Sequence, residues 1–400
     1  MHVSVGCMSD AQRIAPDGDF LRGVLAAGGE DLKKCFQCAT CSVVCELSGD
    51  TAPFPRKEMI WAQWGLKDRL VADPDVWLCH QCNDCSTRCP RGARPGDVMA
   101  AVRRETVLYY AVPAFLGRWA NDPKFVPLLL GVPAVLLGLL LLGTYPPALG
   151  PSKKLVFSYW NLLPHWVLMS FFGLFSLLAF LAVVGGVVRF WRAMKSADER
   201  AGNTTVVKPL ARSAGAALKR ILTHDDFAVC TAERWRAVSH FCVLYGFLAL
   251  FVVSIWVMTA RYNPLVPDDF AYPFSFWSPW RMLANLGGVL LTAGCVLMIW
   301  DRLKDRPHPV ASTFSDWALL AALLAVALTG FLSEALHYAR MEPHRQIAYF
   351  IHLVFVFALL IYLPYSKLAH LAYRATAMVY AEHTGRTRGA TVTHEGRDHP

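Results

Sequence analysis

The chain has 400 residues, of which 55% are hydrophobic and 17% are charged, and it carries a formal net charge of +9. With a positive mean hydropathy, this composition is too apolar for an ordinary soluble enzyme and too charged for a bundle that lies entirely within a membrane. Many of the charged residues precede residue 120, whereas apolar blocks separated by short polar loops follow from Phe125. We therefore expect a polar N-terminal domain followed by a membrane domain.

No secretory signal is expected, because residues 1–20 contain no continuous apolar core followed by a small-residue cleavage site. The polar domain is therefore predicted to stay in the cytoplasm. In that reducing compartment, closely spaced cysteines are typical of metal sites rather than of disulfides.

Two cysteine runs share the spacing C-x2-C-x2-C-x3-C and lie at residues 35–46 (CFQCATCSVVCE) and 79–90 (CHQCNDCSTRCP). This is the spacing of bacterial two-cluster ferredoxins, in which the fourth cysteine of each run ligates the other cluster. The sequence therefore predicts two crossed [4Fe–4S] sites. One site consists of Cys35, Cys38, Cys41 and Cys89, and the other of Cys79, Cys82, Cys85 and Cys45.

A pair of structural zinc sites is the alternative interpretation of these cysteines. Zinc sites usually take two cysteine pairs separated by a longer loop, whereas three cysteines within seven residues suit a cubane cluster better. Pro90 follows the second run as the ferredoxin pattern requires, but Glu46 follows the first. The cysteines outside the runs are expected to be packing residues, namely Cys7, Cys230, Cys242 and Cys295.

The segments beside the cysteine runs have helical rather than strand patterns. Between the runs, one helical stripe is predicted, formed by Met59, Ile60, Trp64, Leu66 and Leu70. After the second run, PGDVMAAVRRETVLYYA opens with a proline and an acidic residue, which are helix-start signals. Residues 1–120 are therefore predicted to form an α-helical ferredoxin domain.

The remaining sequence contains six apolar blocks that are long enough to cross a bilayer. The predicted spans are Phe125–Gly143, Leu162–Val188, Ala237–Ala260, Met282–Trp300, Trp317–Leu336 and Ile347–Ala369. Residues 121–372 are therefore predicted to form a six-helix transmembrane domain, and residues 373–400 a polar tail. The fold class as a whole is predicted to be all-α.

The orientation of the helices follows from their basic residues. The connections 189–236 and 301–316 and the segment 367–400 hold ten, three and five Lys/Arg residues, whereas the other three connections hold two each. The positive-inside rule then puts the first group in the cytoplasm, with both termini and the cysteine domain on that side. A cytoplasmic membrane protein of this kind needs no nucleic acid partner to explain its net charge.

Five histidines of the membrane domain are candidate haem ligands, because ionisable residues inside a bilayer are costly. His352 and His370 are 18 residues apart, which equals five helical turns, so both are expected on one face of the last helix. His240 is expected level with His370, and His165 level with His352. His337 competes with His165 for the second position.

The chain resembles several known families through these motifs. The cysteine domain is similar to the C subunit of heterodisulfide reductase. The six-helix part resembles the cytochrome b of that system and of respiratory nitrate reductase. The fusion of the two resembles the C subunit of the quinone-interacting membrane-bound oxidoreductase of sulfur metabolism.

This resemblance implies one or two b-type haems in the membrane domain and quinone or quinol as substrate. It also implies flavin- and iron–sulfur-bearing cytoplasmic partner subunits, with adenylylsulfate reductase as their redox partner.

The sequence lacks both the Cys-Cys pair of a catalytic heterodisulfide subunit and a nucleotide-binding G-x-G-x-x-G after a strand. The predicted function is therefore that of an electron-transfer subunit within a quinone-linked oxidoreductase, with no catalytic residue of its own. The alternatives are a membrane subunit of a heterodisulfide reductase-like or sulfite-reduction complex, and a haem-less membrane-anchored ferredoxin or redox sensor.

Overall fold

The computed structural model describes residues 15–49, 52–144, 163–202, 207–225, 234–260, 263–266, 275–304 and 312–386. Every regular element within these ranges is a helix, which confirms the predicted all-α fold class. Residues 1–14 of the predicted polar domain and 387–400 of the predicted tail lie outside the described residues. The chain divides into two compact units.

The first unit comprises the chain up to Thr106, together with Ala193–Thr204 and the residues from Arg386 onward. Its helices are α1 (Gly18–Val24), α2 (Thr40–Val43), α3 (Arg56–Gln63), α4 (Lys67–Leu70), α5 (Asp75–Leu78), α6 (Asp84–Thr87) and most of α7 (Pro95–Tyr110). Five of these helices contribute fully buried side chains, namely Val24, Met59, Leu70, Trp77 and Met99, and Leu32 between α1 and α2 is fully buried as well. Each such burial stabilises the fold by about 1.5–3 kcal/mol.

The single helical stripe predicted between the cysteine runs is wrong, because a turn divides it. Helix α3 ends at Gln63, and Gly65 adopts a left-handed φ of 63° before α4 begins. A Cβ atom at Gly65 would lie 2.8 Å from the backbone oxygen of Asp17, so only glycine fits there. Met59 is buried, but Trp64 lies in the turn and is 58% exposed.

The first unit also contains a buried ion cluster, which consists of Lys57, Glu58, Asp73, Asp75, Asp198 and Arg386. The Lys57 Nζ atom lies 3.0 Å from Glu58, 3.4 Å from Asp73 and 3.0 Å from Asp75. The Arg386 guanidinium lies 3.2 Å from Asp75 and 3.2 Å from Asp198. Burial, together with the neighbouring Asp73 carboxylate, raises the pKa of Glu58 well above its ordinary value, so this carboxyl keeps its proton to a higher pH than a free glutamate does.

The second unit comprises Val107–Arg192 and Thr205–Gly385. Its helices are α8 (Ala114–Ala120), α9 (Val126–Thr144), α10 (His165–Ala201), α11 (Leu210–Thr223), α12 (Arg234–Ala260), α13 (Pro279–Leu303), α14 (Phe314–Tyr338), α15 (His344–Tyr362) and α16 (His370–His383). The last turns of α10 belong to the first unit. Within the described residues, six helices are long and apolar enough to cross a membrane, namely α9, α10 and α12 to α15. They are compatible with a multi-pass membrane protein.

Small residues let the long helices approach closely. A Cβ atom at Gly246 of α12 would lie 2.6 Å from the backbone nitrogen of Leu291, and one at Gly294 of α13 would lie 2.8 Å from the Ser239 oxygen. Such contacts replace the hydrophobic driving force that lipid cannot supply between helices. An apolar cluster joins α9, α10 and α15 around Phe357, which is fully buried.

The last predicted span is corrected by the structure. Helix α15 ends at Tyr362, and two 3-10 turns, Leu363–Tyr365 and Lys367–Ala369, precede α16. Pro364 lacks an N–H group and cannot continue the helix. His352 and His370 therefore lie on different helices, and the five-turn argument that put them on one face is wrong.

The first domain boundary was predicted at residue 120, whereas the second compact unit begins at Val107. Tyr110, at the end of α7, packs against Phe190 and Tyr373, with ring centroids 5.7 and 6.1 Å away. These aromatic contacts tie the end of α7 to the second unit. The segment predicted as a polar tail from residue 373 begins in α16, where Tyr373 is buried.

Candidate iron–sulfur and haem sites

The two cysteine runs fold into loops with the same backbone conformation. Gln37 and Ala39 in the first loop have φ values of 61° and 68°, and Gln81 and Asn83 in the second have 55° and 72°. Left-handed φ values are uncommon for residues other than glycine. Their recurrence at matching positions shows that the two loops turn the backbone in the same way.

A short helix follows each loop and brings the two runs together. Helix α2 begins directly after Ala39, and α6 begins directly after Asn83. These two helices contact each other. The fourth cysteine of each run comes just after its helix, so the helix pair carries it toward the other loop.

The four thiols of the first predicted site line one cavity, although they come from both runs. The lining includes Cys35, Cys38, Cys41 and Cys89, together with Arg56 and Arg91. Cys38 is exposed, whereas Cys41 is buried. Four soft thiolates around one cavity suit a [4Fe–4S] cluster.

The second group of thiols also combines cysteines from both runs. Cys45 of the first run lies within electrostatic range of Cys79 and Cys82, and Cys85 lies within range of all three. Burial, together with these neighbouring thiols, raises the pKa of Cys45 to about 12. Burial raises the pKa of Cys85 as well. Such crowded thiols ionise readily only around a cationic metal centre, which makes the donor set fit an iron–sulfur cluster.

Backbone N–H groups donate to cysteine sulfur in the second run, at one ligand of each predicted site. The Gln81 N–H donates to Cys79 Sγ at 3.4 Å, and the Ala93 N–H donates to Cys89 Sγ at 3.3 Å. Donors of this kind tune the potential of iron–sulfur clusters. The cysteine spacing gives no signal for these donors, because they depend on the left-handed turns and on the chain after Cys89.

Two glutamines that the sequence analysis missed hold the first loop. Gln37 Nε2 donates to Cys35 Sγ at 3.4 Å and to Gln63 Oε1 at 2.9 Å. Gln63 Nε2 donates in turn to the Cys35 carbonyl at 2.9 Å. Gln63 thereby fixes the start of the loop from the last residue of α3.

In the second unit, three histidines lie together at the start of α12. His240 is within electrostatic range of His370, the first residue of α16. His224, at the end of α11, places its Nε2 atom 2.9 Å from His240 Nδ1. His224 is not among the five candidate haem ligands predicted from the sequence, because only the fold brings the end of α11 beside α12.

The predicted ligands of this group have the hydrogen bonds that haem ligands need. His370 Nδ1 lies 2.7 Å from the Lys367 carbonyl oxygen, which can only accept. The hydrogen is therefore on Nδ1, and the lone pair of that tautomer is on Nε2. His240 engages its Nδ1 with His224 in the same way. His240 and His370 would therefore present Nε2 to a haem iron if one is bound between them.

His352 lies against α14. Its Nδ1 atom is 3.1 Å from Thr329 Oγ1, and a Cβ atom at Gly330 would lie 3.2 Å from its ring. His165 is buried at the first position of α10. His337, near the end of α14, is within electrostatic range of Arg281, Arg345 and Glu334. The choice between His165 and His337 as the partner of His352 therefore stays a prediction.

These sites and helices define the chain as a helical iron–sulfur protein with six membrane-type helices. Two family models match the chain. A family model described as 4Fe-4S dicluster domain matches residues 31–93, and one described as Citrate utilization protein B matches residues 122–391. The chain belongs to the citrate utilization protein B family.

Individual relatives cover the chain unevenly. Citrate utilization protein B of Escherichia coli is 30% identical over 324 residues, which is 76% of this chain and 80% of that protein. The C subunit of the H(2):CoB-CoM heterodisulfide,ferredoxin reductase of Methanothermobacter marburgensis is 41% identical over 90 residues, 22% of this chain and 48% of that protein. The C subunit of the same reductase from Methanothermobacter thermautotrophicus is also 41% identical over 90 residues, with the same shares of 22% and 48%.

The chain thus spans about half the length of these two heterodisulfide reductase relatives. No solved structure matches it. The similarity to parts of reductase complexes indicates an iron–sulfur electron-transfer protein that works with protein partners.

Proposed function

We propose that this protein carries electrons between membrane quinone and flavin- and iron–sulfur-bearing cytoplasmic subunits, through b-type haem and two [4Fe–4S] clusters. The observation that carries the proposal is the pair of interlocked cysteine loops, in which four thiols from both runs line one cavity. Such cross-ligation is the arrangement of two-cluster ferredoxins, whose neighbouring clusters exchange electrons.

The residues of the first unit have defined roles in this scheme. When bound, the clusters supply one-electron oxidation and reduction steps. The eight cysteine thiolates hold the iron, while the Gln81 and Ala93 N–H groups donate to ligand sulfur and stabilise its negative charge. The two-electron chemistry then falls to partner subunits.

The haem part of the proposal rests on the histidines of the second unit. His240 and His370 lie within electrostatic range of each other, and both engage Nδ1 in hydrogen bonds. These bonds orient the rings and direct Nε2 toward a metal. His352 with His165, or with His337 instead, forms the second proposed haem site.

The physiological setting is proposed from the relatives. The similarity to Citrate utilization protein B extends over 80% of that protein, whereas the heterodisulfide reductase relatives are matched over about half of their length. This difference favours a partner enzyme in citrate utilization. Adenylylsulfate reductase, predicted from the resemblance to sulfur-metabolism complexes, is the second candidate partner, and a sulfite-reduction complex is the third.

The proposed location is the cytoplasmic membrane, with both termini and the iron–sulfur domain in the cytoplasm. The ten basic residues of the 189–236 connection support this orientation. A reporter fused after Pro400 should behave as cytoplasmic and one inserted near Pro267 as external. Both positions lie outside the described residues. The opposite labelling would overturn the orientation.

Purification of the full chain in detergent tests the function. We expect about eight irons per chain, from two four-iron clusters, and a b-type haem spectrum that a quinol analogue reduces. Zinc in place of iron would refute the cluster assignment. Iron without haem would leave a membrane-anchored ferredoxin, and haem that quinol does not reduce would refute the quinone link.

A further inference from the structure

The first cysteine group opens onto the protein surface. Cys38 is exposed, and Phe36 and Val43, in and just after the same loop, are 68% and 85% exposed. The Arg91 guanidinium lies 4.2 Å from the centroid of the Phe36 ring. Large exposed apolar side chains beside a cofactor site are typical of an interaction surface.

Exposed basic residues flank the cysteines of this group in the sequence, and Arg91 lines the cavity itself. Lys33 and Lys34 precede Cys35 directly, and Arg88 and Arg91 lie on either side of Cys89; all four are exposed. Lys34 pairs with Asp31 at 2.5 Å, but such an exposed ion pair contributes little and exchanges readily. We call this surface the basic face, and it consists of Lys33, Lys34, Phe36, Cys38, Val43, Arg88 and Arg91.

The second cysteine group has different surroundings. None of its four cysteines is exposed. The residues next to Cys45 and Cys85 include the acidic Glu46 and Asp84 rather than lysine. Arg103 donates to the Cys79 carbonyl at 2.5 Å, so its guanidinium is engaged with the backbone. Of the two cysteine groups, the first is therefore the one that a partner protein can reach from an exposed and positively charged surface.

We propose that the basic face docks an acidic surface of the soluble redox partner, and that electrons cross there through the cluster of Cys35, Cys38, Cys41 and Cys89. This inference rests on the proposed electron-transfer function and identifies its protein-facing cluster. In each encounter the donor loses one electron and the cluster gains it, or the reverse, and no bond or proton is exchanged. An apolar centre with a charged rim favours a transient protein partner, because charge steers the encounter and the apolar contact excludes water.

Flavodoxin, an acidic flavoprotein, serves as the probe for this face. Its hydroquinone anion gives one electron to an oxidised cluster and becomes the neutral semiquinone. With the full chain in detergent, the bimolecular rate should fall about tenfold between low and high salt. The variant K33E/K34E/R91E should react at least about tenfold more slowly than the wild type at low salt and should lose the salt dependence.

Three controls keep the outcome decisive. Arg69→Glu reverses an exposed charge on α4 outside the basic face and should change the rate less than about twofold. The neutral variant K33Q/K34Q/R91Q should give an intermediate rate. Photoreduced 5-deazariboflavin, an uncharged reductant, should reduce all variants equally, provided that iron content and cluster spectra match.

The possible failures are distinct. If the wild type holds no iron–sulfur cluster, the proposed function fails before the docking is tested. If the clusters are intact and K33E/K34E/R91E reacts with flavodoxin at the wild-type rate, the basic face is not the docking surface. A wild-type rate that rises with salt would overturn the charge argument in the same way.

Discussion

In the first unit, seven residues bring three thiols to one centre, whereas in the second unit the grouped imidazoles come from three different helices. The cysteines from Cys35 to Cys41 share one loop, and its left-handed turns aim them at the same point. His224, His240 and His370 come from the end of α11, the start of α12 and the start of α16. A local pattern thus predicts the cluster sites, whereas the proposed haem site depends on how distant helices pack.

Three ligands of each cluster come from one loop, but the fourth comes from the other cysteine run. The crossed ligand is therefore the part of each cluster site that depends on tertiary structure. Replacing Cys89 with Ser should destabilise the cluster of the distant Cys35, Cys38 and Cys41, and should remove about four of eight irons. Iron analysis of the full chain with cluster spectroscopy checks this. Cys242→Ser, outside both runs, should keep all the iron. Loss of the cluster bearing Cys79 and Cys82 would contradict the crossing.

Histidine variants test whether one proposed haem can be removed without the other, as one cluster is expected to be. His240→Ala should remove about half of the haem, if two haems are bound, and leave the cluster signals unchanged, because the clusters are held by separate residues. Haem extraction and an optical spectrum measure this, with His344→Ala as the matched control.

Two further variants, His165→Ala and His337→Ala, decide which histidine is the partner of His352 in the second proposed haem site. His165→Ala should remove the other half of the haem. If it leaves the haem unchanged while His337→Ala halves it, the chosen partner of His352 is wrong. A wild type with a single haem would show that the second site does not exist.

The buried ion cluster gives the first unit a pH dependence. The folded-state pKa of Glu58 lies above its unfolded value, so its stabilising contribution is complete below the unfolded pKa and is lost as pH rises through the folded pKa. Glu58→Gln cannot ionise and should therefore lose less stability than the wild type as the pH rises above the ordinary glutamate pKa of 4.5.

The midpoint temperature at which cluster absorbance disappears measures this effect. Glu382→Gln is the control, because Glu382 forms a half-exposed pair with Lys208 and should change little. An equal fall in both the wild type and Glu58→Gln would contradict the raised pKa of Glu58.

The smallest expected effect concerns His224, which contacts His240 but is not proposed to bind iron. His224→Ala should retain the haem and raise its midpoint potential, because the lost acceptor makes the His240 ligand less basic. His224→Gln, which can still accept a hydrogen bond, should restore most of the shift. Tyr245→Phe removes a neighbouring bond to the Leu222 carbonyl and serves as the control. Loss of haem in His224→Ala would instead make His224 a ligand.

Much of the fold was predictable from the sequence because its signals are local. Six apolar blocks predicted the six long helices, and Pro95 predicted the start of α7. The same periodicity failed at Gly65 and at Pro364, where a turn interrupts a stripe that continues in sequence. One glycine or proline redirects the chain without changing its apolar pattern.

The site was predictable in part for the same reason. The cysteine spacing indicated which thiols would meet, since short loops have few ways to present three of them to one centre. The supporting Gln63 and the neighbouring His224 were not predictable, because each depends on how a distant helix end packs. The basic residues of the basic face can be read from the sequence. Only the structure shows that the first cysteine group has an exposed member, Cys38, and that the second has none.

Arg386 has a practical consequence for anyone who handles this protein. It lies three residues beyond the end of α16, and it reaches Asp75, the first residue of the helix that leads into Cys79. A purification tag joined directly at that point would disturb the entry to a cysteine loop. Fusions should therefore keep the native chain beyond Arg386 as a spacer, and truncation before it should be expected to lower iron incorporation.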